Sequence, residues 1–275
     1  MNLKLNQSAA EVCASQYGLG EGSAVWKYDR FNLTHLEEDA KRAVAGWSWE
    51  KGSFGHSLPL TRSLLTGFGQ DHYNNYFDPA LNERLDGCPY FRAIFDSFDC
   101  QKSSYRLLWR PPLTGYTWHA DWDLGENTFR VQIPIQTNSE AYLVVSNSQH
   151  IEDFEFPDQG FVLAKNWSQE GIQKQTMRDW FGRFIAANLR RIRVYNLAPG
   201  YLYHFDTTQF HSVYNFGDAG RLALTLDLVA NPWLEQRFPE MSFRRTHRLQ
   251  AAGQRMLPSI QKPIARGLDE PGRDL

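Results

Sequence analysis

The stretch "RLALTLDLV", Arg221 to Val229, alternates along its whole length. In an extended chain Leu222, Leu224, Leu226 and Leu228 project to one face and Arg221, Ala223, Thr225 and Asp227 to the other, because side chains alternate along a strand. "RVQIPI", Arg130 to Ile135, divides the same way, with Val131, Ile133 and Ile135 on one side and Arg130 and Gln132 on the other. Two strands that each set an oily face against a small or polar face bearing an arginine fit a barrel or sandwich with a polar interior, its oily faces covered by helices or a second sheet. An antiparallel sheet whose polar face meets water shows the same alternation.

Working outward, strand signals dominate from Tyr105 on, in "YRLLWR", "TFRVQIPIQT", "AYLVVS" and "YLYHFDT", several of them bounded by glycine, proline or asparagine. Before them, "LTHLEEDAKRAV", Leu33 to Val44, has helical spacing, with Asn32 or Thr34 as its cap, and "CPYFRAIFDSF", Cys88 to Phe98, gathers its apolar residues on one side. Residues 1–100 are therefore expected to form a helical and loop region packing on a sheet. Residues 101–235 hold the strands, interrupted at about 146–198 by a segment whose core, "TMRDWFGRFIAANLRRI", has helical periodicity and could be a lid or an outer buttress. Residues 236–275 read as a C-terminal helix and tail.

At 275 residues and 42% hydrophobic, the chain is long enough to bury the core of one large domain. Lysine plus arginine total 29 and aspartate plus glutamate 31, so no global field points to nucleic acid or a membrane surface as partner. Cys13, Cys88 and Cys100 are odd in number and widely spaced, which suggests neither a disulfide framework nor a thiolate metal site and fits a reducing cytoplasm. The first residues lack an apolar stretch of signal-peptide length, and no run of about 18 apolar residues occurs. A soluble cytoplasmic protein is expected.

"TWHADWD", Thr117 to Asp123, places a histidine and an aspartate two residues apart. If the segment is extended, His119 and Asp121 share a face and can meet one ion. Alone, such a tripeptide is commonly a hydrogen-bonded surface pair, and a third ligand is needed. "YLYHFDTTQFHSVYN" offers His204 and His211, and His211 stands ten residues before Arg221. Two histidines and one carboxylate on one side of a metal form the facial triad of non-haem Fe(II) oxygenases. Arg221, opening the next strand on its polar face, has the planar fork that holds a carboxylate two-pronged.

Taken together, His119-x-Asp121, a distal His211 and Arg221 ten residues later resemble the signature of Fe(II)/2-oxoglutarate-dependent dioxygenases. More narrowly, "YRLLWRPPLTGYTWHADWD", "FRVQIPIQTN" and "LAPGYLYHFDTTQFHSVYNFGDAGRLALTLDLVANPW" resemble the aspartyl/asparaginyl beta-hydroxylase-like branch, over roughly Tyr105 to Trp233. The resemblance implies a mainly β fold with flanking helices, a double-stranded β-helix of jelly-roll or cupin-like form. It implies iron on His119, Asp121 and His211, 2-oxoglutarate as cosubstrate with its 5-carboxylate on Arg221, and dioxygen as oxidant. One departure is Gln132, where the family often has a histidine. Because Asp121 is present, hydroxylation is favoured over halogenation.

Around that centre Arg130 is a second anion anchor or a structural salt bridge, and Thr208 a hydrogen-bond donor to the cosubstrate. Arg106, Trp118 and Gln132 are candidate substrate contacts, with a core role the alternative for Trp118. Asp123 is a candidate support for a ligand histidine, and Asn215 and Asp218 are read as turn formers. The substrate expected is a small carboxylated molecule such as a free or modified amino acid. An aspartyl or asparaginyl side chain in a peptide is the alternative, and a cupin-like metal-dependent isomerase or a non-catalytic binding module are readings from other classes.

Overall fold

The computed structural model describes residues 11–13, 15–16, 25–46, 57–61, 84–116, 118–121, 128–148, 150–157 and 174–239. The chain divides into two units, Met1–Arg244 and Arg245–Leu275, and all the described residues belong to the first. Asp123 and the tail beyond 239 lie outside the described residues, as does the middle of the expected insertion.

Eleven strands and four helices follow one another in the described chain: β1 Glu11–Val12, β2 Val25–Arg30, α1 Leu33–Val44, β3 Ser57–Pro59, α2 Pro89–Ser97, β4 Lys102–Arg110, β5 Thr114–Gly115, β6 Thr128–Gln136, β7 Ala141–Ser146, α3 Lys174–Asn188, β8 Ile192–Tyr195, β9 Tyr201–Phe205, β10 His211–Asn215, β11 Arg221–Val229 and α4 Pro232–Arg237. They form two antiparallel sheets, one in the order β1-β2-β9-β6-β11-β4-β3, the other β5-β10-β7-β8. From β4 onward the chain passes back and forth between them: β4, β6, β9 and β11 make the middle of the large sheet, and β5, β7, β8 and β10 are the whole of the small one. That winding is a double-stranded β-helix, the jelly roll expected.

Register turns the alternation into layers. Thr225 of β11 lies between Arg106 of β4 and Gln132 of β6, Asp227 lies between Ser104 and Arg130, and Arg221 faces Arg110. These residues share the face turned toward the small sheet, where Leu143, Val145, Tyr195, Tyr203 and Phe205 close an apolar cluster between the sheets. The opposite face carries Leu222, Leu224, Leu226, Leu228, Val131, Ile133 and Ile135, packed with Leu36 and Ala40 of α1 and Phe91 and Ile94 of α2. Each fully buried leucine contributes about 1.5 to 3 kcal/mol, so the helices are held by the oily side of the same strands that expose polar groups inward.

The helices start where their caps allow. Asn32 rather than Thr34 caps α1, its side chain accepting from the His35 N–H at 3.2 Å. Cys88, at the N-cap of α2, makes no side-chain cap bond. Asp39 of α1, fully buried, serves instead: its Oδ2 accepts the amides of Tyr90 at 2.7 Å and Phe91 at 2.8 Å. One carboxylate thus satisfies the first orphan donors of α2 and docks the two helices together.

Two parts differ from the sequence reading. The segment 146–198 is not insertion throughout: Ile192–Tyr195 is strand β8, paired with β7, and α3 ends at Asn188. The amide of Asn188 donates to Phe184 O and Glu155 O and so closes the helix where "RRI" reads as a continuation. Val25–Arg30, placed in a helical and loop region, is a strand that extends the large sheet beside β9. No helix among the described residues is long and apolar enough to cross a membrane.

Removing the shared cap tests this docking. Asp39→Ala should lose about 2 to 3 kcal/mol in urea unfolding, because buried amides are left without an acceptor. Arg42→Ala, which removes only the half-exposed partner of Asp39, should cost under about 1 kcal/mol.

Candidate functional site

The "WHAD" segment is laid against the start of β10. His119 N–H donates to His211 O at 3.1 Å and His211 N–H to His119 O at 2.8 Å, an isolated antiparallel bridge, and the Asp121 amide donates to Thr207 O at 2.8 Å. Extended in this way, the segment sends His119 and Asp121 to the same side, toward His211. One ligand atom from each of the three residues lies within 4.8 Å of the other two. His119 Nε2 stands 3.6 Å from Asp121 Oδ1, and His211 Nε2 stands 3.7 Å from Asp121 Oδ2. Adjacent ligands around one first-row ion stand about 3 Å apart, so small side-chain movements would close the set on a metal.

The protonation states suit that role. His211 Nδ1 lies 3.0 Å from Gln209 O, so it carries the hydrogen and leaves the Nε2 lone pair on the side of Asp121. Burial lowers the His211 pKa and keeps the ring neutral. Burial would raise that of Asp121, but Arg130 first, then His211, His119 and Arg106, hold its carboxyl well below the usual carboxylate range. His119 is partly exposed while Asp121 and His211 are buried, so the triad opens to solvent on the His119 side.

Behind Asp121 runs a buried ion-pair chain. Arg130 gives one guanidinium nitrogen to Asp121 Oδ2 at 2.5 Å and two others to Asp227, at 2.7 and 3.2 Å. Arg106 lies 3.4 Å from Asp227, and the Ser104 hydroxyl donates to the same carboxylate. Arg130 thus makes the structural salt bridge, one of the two roles read from the sequence. Arg106 faces the same Asp227.

Arg221 has different company. It is 5% exposed, and the one side-chain hydrogen bond it makes among the described residues is to Gln132 Oε1 at 3.0 Å. No carboxylate among the described residues lies against it. Burial, and after it the neighbouring Arg110, brings its pKa down to about 10, so at neutral pH it is a buried cation held by a neutral acceptor. Gln132, expected at the substrate, orients Arg221.

Three further residues have partners away from the triad. Trp118 takes the core role of the two read for it: it lies under α3 among Phe154, Phe184 and Tyr214, and its Nε1 donates to the Tyr214 hydroxyl at 2.8 Å. The Thr208 hydroxyl donates to Asp206 Oδ1 at 2.6 Å in a local turn, which uses it within the loop. His204 shares the outward face of β9 with Leu202, stacks on Trp26, and its Nδ1 is 3.0 Å from Arg130 O, so it takes no part in the triad. Arg110 shares the parity of Arg106 in "YRLLWR" and is buried on the inward face with it; Asp227 and Tyr116 are not singled out by the sequence as functional, although the alternation of β11 puts Asp227 on the face of Arg221.

No family model and no curated protein matches the chain. Several solved structures are similar to it at low identity. AviO1 from Streptomyces viridochromogenes Tue57 is 10% identical, with 77% of this chain and 91% of that one covered and a TM-score of 0.41. An N-substituted L-amino acid dioxygenase in complex with alpha-KG, from Burkholderia ambifaria AMMD, is 13% identical, with 76% and 83% covered and a TM-score of 0.41. EctD from S. alaskensis with 2-oxoglutarate and 5-hydroxyectoine is 14% identical, with 76% and 72% covered and a TM-score of 0.38.

The Asp227 carboxyl is raised by burial but lowered further by Arg130, Arg106 and its hydrogen bonds, and ends below its ordinary value. A depressed folded pKa contributes stability that is present above the unfolded value, about 3.9, and is lost as pH falls toward the folded one. Asp227→Asn should therefore be less stable than wild type at pH 7, and its unfolding free energy should change less steeply with pH below about 4. Urea titrations at several pH values measure both.

Proposed function

We propose that the chain is an Fe(II)- and 2-oxoglutarate-dependent hydroxylase, of the aspartyl/asparaginyl beta-hydroxylase-like branch, acting on a small carboxylated substrate such as a free or modified amino acid. The observation that carries this reading is the pairing, inside one barrel, of a buried two-histidine, one-carboxylate set with a buried arginine that has no carboxylate partner among the described residues. A metal site alone would suit many reactions. An arginine kept in low dielectric in the same barrel, hydrogen-bonded to a neutral glutamine, suits an anionic co-reactant.

His119, Asp121 and His211 would hold the iron, and the donor set fits a borderline ion through two imidazoles and one oxygen. When bound, iron with 2-oxoglutarate and dioxygen supplies an oxidant for an unactivated C–H bond, with succinate and carbon dioxide as coproducts. This chain's own residues position and exclude. Arg221 holds the cosubstrate's far carboxylate and Gln132 holds Arg221. Arg130 keeps Asp121 charged and turned toward the two histidines. Leu143, Val145, Tyr203 and Phe205 form an apolar wall between the sheets, and the Phe205 ring is 5.0 Å from that of His211. Such a wall keeps water from the reacting atoms.

The test is anaerobic addition of Fe(II) and 2-oxoglutarate, watching for the weak visible charge-transfer band of the chelate. The band should be absent in His211→Ala. In Arg221→Ala it should need about ten- to more than a hundredfold more 2-oxoglutarate, matching the loss of about 1.5 to 3 kcal/mol for a hydrogen bond to a charged group. Wild-type protein that binds iron yet shows no band would overturn the reading. Succinate release with candidate amino acids and peptides then sorts the substrates.

A further inference from the structure

Across the small sheet, Thr114 and Gly115 of β5 pair with Asn215 and Tyr214 of β10, and the Tyr116 N–H continues that register by donating to Val213 O at 2.8 Å. The next described pairing is His119 with His211. From Tyr116 to His119 the segment takes three steps, while β10 takes two from Val213 to His211, the one-residue excess of a β-bulge. In a regular strand, residues three apart project to opposite faces. The excess step brings Tyr116 and His119 to the same side, and their rings meet edge-on at 4.7 Å, with 81° between the planes.

The Tyr116 ring links the two sheets. Its backbone is held by the small sheet, where the Ser212 hydroxyl of β10 donates to Tyr116 O. Arg110, at the end of β4 in the large sheet, lays its guanidinium over the ring, 4.7 Å from the centroid. Among the triad, His119 has the most to gain from such a neighbour: its side chain is 27% exposed, against 5% for His211 and 10% for Asp121. The His211 ring is fixed by Gln209 O at its Nδ1 and by the Phe205 ring. The terminal torsion of a histidine is broad, so contacts with the ring set its plane.

We propose that Tyr116 is a positioning residue for the metal centre: its ring fixes the plane of the His119 ring, so that Nε2 stays turned toward Asp121, 3.6 Å from Oδ1. The proposal rests on the metal site of the hydroxylase reading and adds to it a residue outside the triad. Groups that orient a ligand contribute to metal affinity nearly as the ligands do. The contact is aromatic, so the ring carries it and the phenol oxygen is dispensable. The bulge is the device that puts the ring there, since bulges beside functional sites re-aim side chains.

Calorimetry and paramagnetic proton NMR with Co(II), in the absence of any cosubstrate, test it, the histidine ring signals being assigned through His119→Ala and His211→Ala. Tyr116→Leu should weaken Co(II) binding about two- to tenfold, the equivalent of one aromatic pair. It should also shift the ring signals of His119 and leave those of His211 in place. Tyr116→Phe should keep wild-type affinity and both sets of signals. Should Tyr116→Leu fail to fold, Tyr116→Met, which fills the space with a flexible chain, makes the same comparison. Wild-type affinity with unmoved His119 signals in the folded variant overturns the proposal and leaves the metal site standing. So do equal shifts at both histidines, which mean general damage, and a loss in Tyr116→Phe as large as in Tyr116→Leu, which assigns the effect to the hydroxyl. Wild-type protein that binds no Co(II) overturns the metal site and the proposal with it.

Discussion

One guanidinium holds the functional end of this barrel together. Arg130 touches Asp121 on one side and Asp227 on the other. Among the described residues, the backbone of His119 and Asp121 is fastened to His211 and Thr207. Arg130 adds the link from that segment to β6 and β11, the central strands of the large sheet. Buried charges are costly unless they are paired and hydrogen-bonded, and here Arg106 and Arg130 balance Asp121 and Asp227. The balance keeps Asp121 ionised, which a metal ligand requires. It also commits Arg130 to Asp121 and Asp227.

The ten residues from His211 to Arg221 follow from that architecture. β10 takes five of them, His211–Asn215, and a tight turn takes the other five. Asn215 is fully buried, and its amide nitrogen lies 2.9 to 3.2 Å from the carbonyl oxygens of Arg110, Pro111 and Ala219. Its Oδ1 accepts from Gly217 N–H and from Asn138. Gly220 leaves no room for a side chain: a Cβ there would come within 1.8 Å of the Trp109 ring. A residue read as a simple turn former thus fixes the small sheet to the large one. The ten-residue spacing of His211 and Arg221 is thus one strand of the small sheet, about 13 Å long at 3.3 Å per residue, and the turn that carries the chain into the large one.

The sequence was most legible where alternation had two unequal faces to work on. In β6 and β11 the leucine and isoleucine faces could only be buried, so Arg130, Gln132, Arg221 and Asp227 had to point inward once helices covered the other side. The same rule sorts the histidines, since His204 shares parity with Leu202 in "YLYHF" and goes outward with it. For Trp118 the two readings, pocket wall and core, are separated by parity: opposite to His119, it goes under α3. β8 was illegible because its four residues follow a helix and an arginine cluster with too little length to show a period of two. The partners of Thr208 and Arg130 were illegible for a common reason: which partner a polar group takes depends on residues distant in sequence or on a local turn, and neither leaves a periodic trace.

These constraints divide the interior by charge. Near the triad the described ionic groups cancel in pairs, so bringing in a divalent cation disturbs a neutral neighbourhood. At the start of β11 the buried Arg221 and Arg110 face each other across the strands, so the two ends of the polar face differ in the charge they carry. That division is a consequence of the same alternation that buried the leucines.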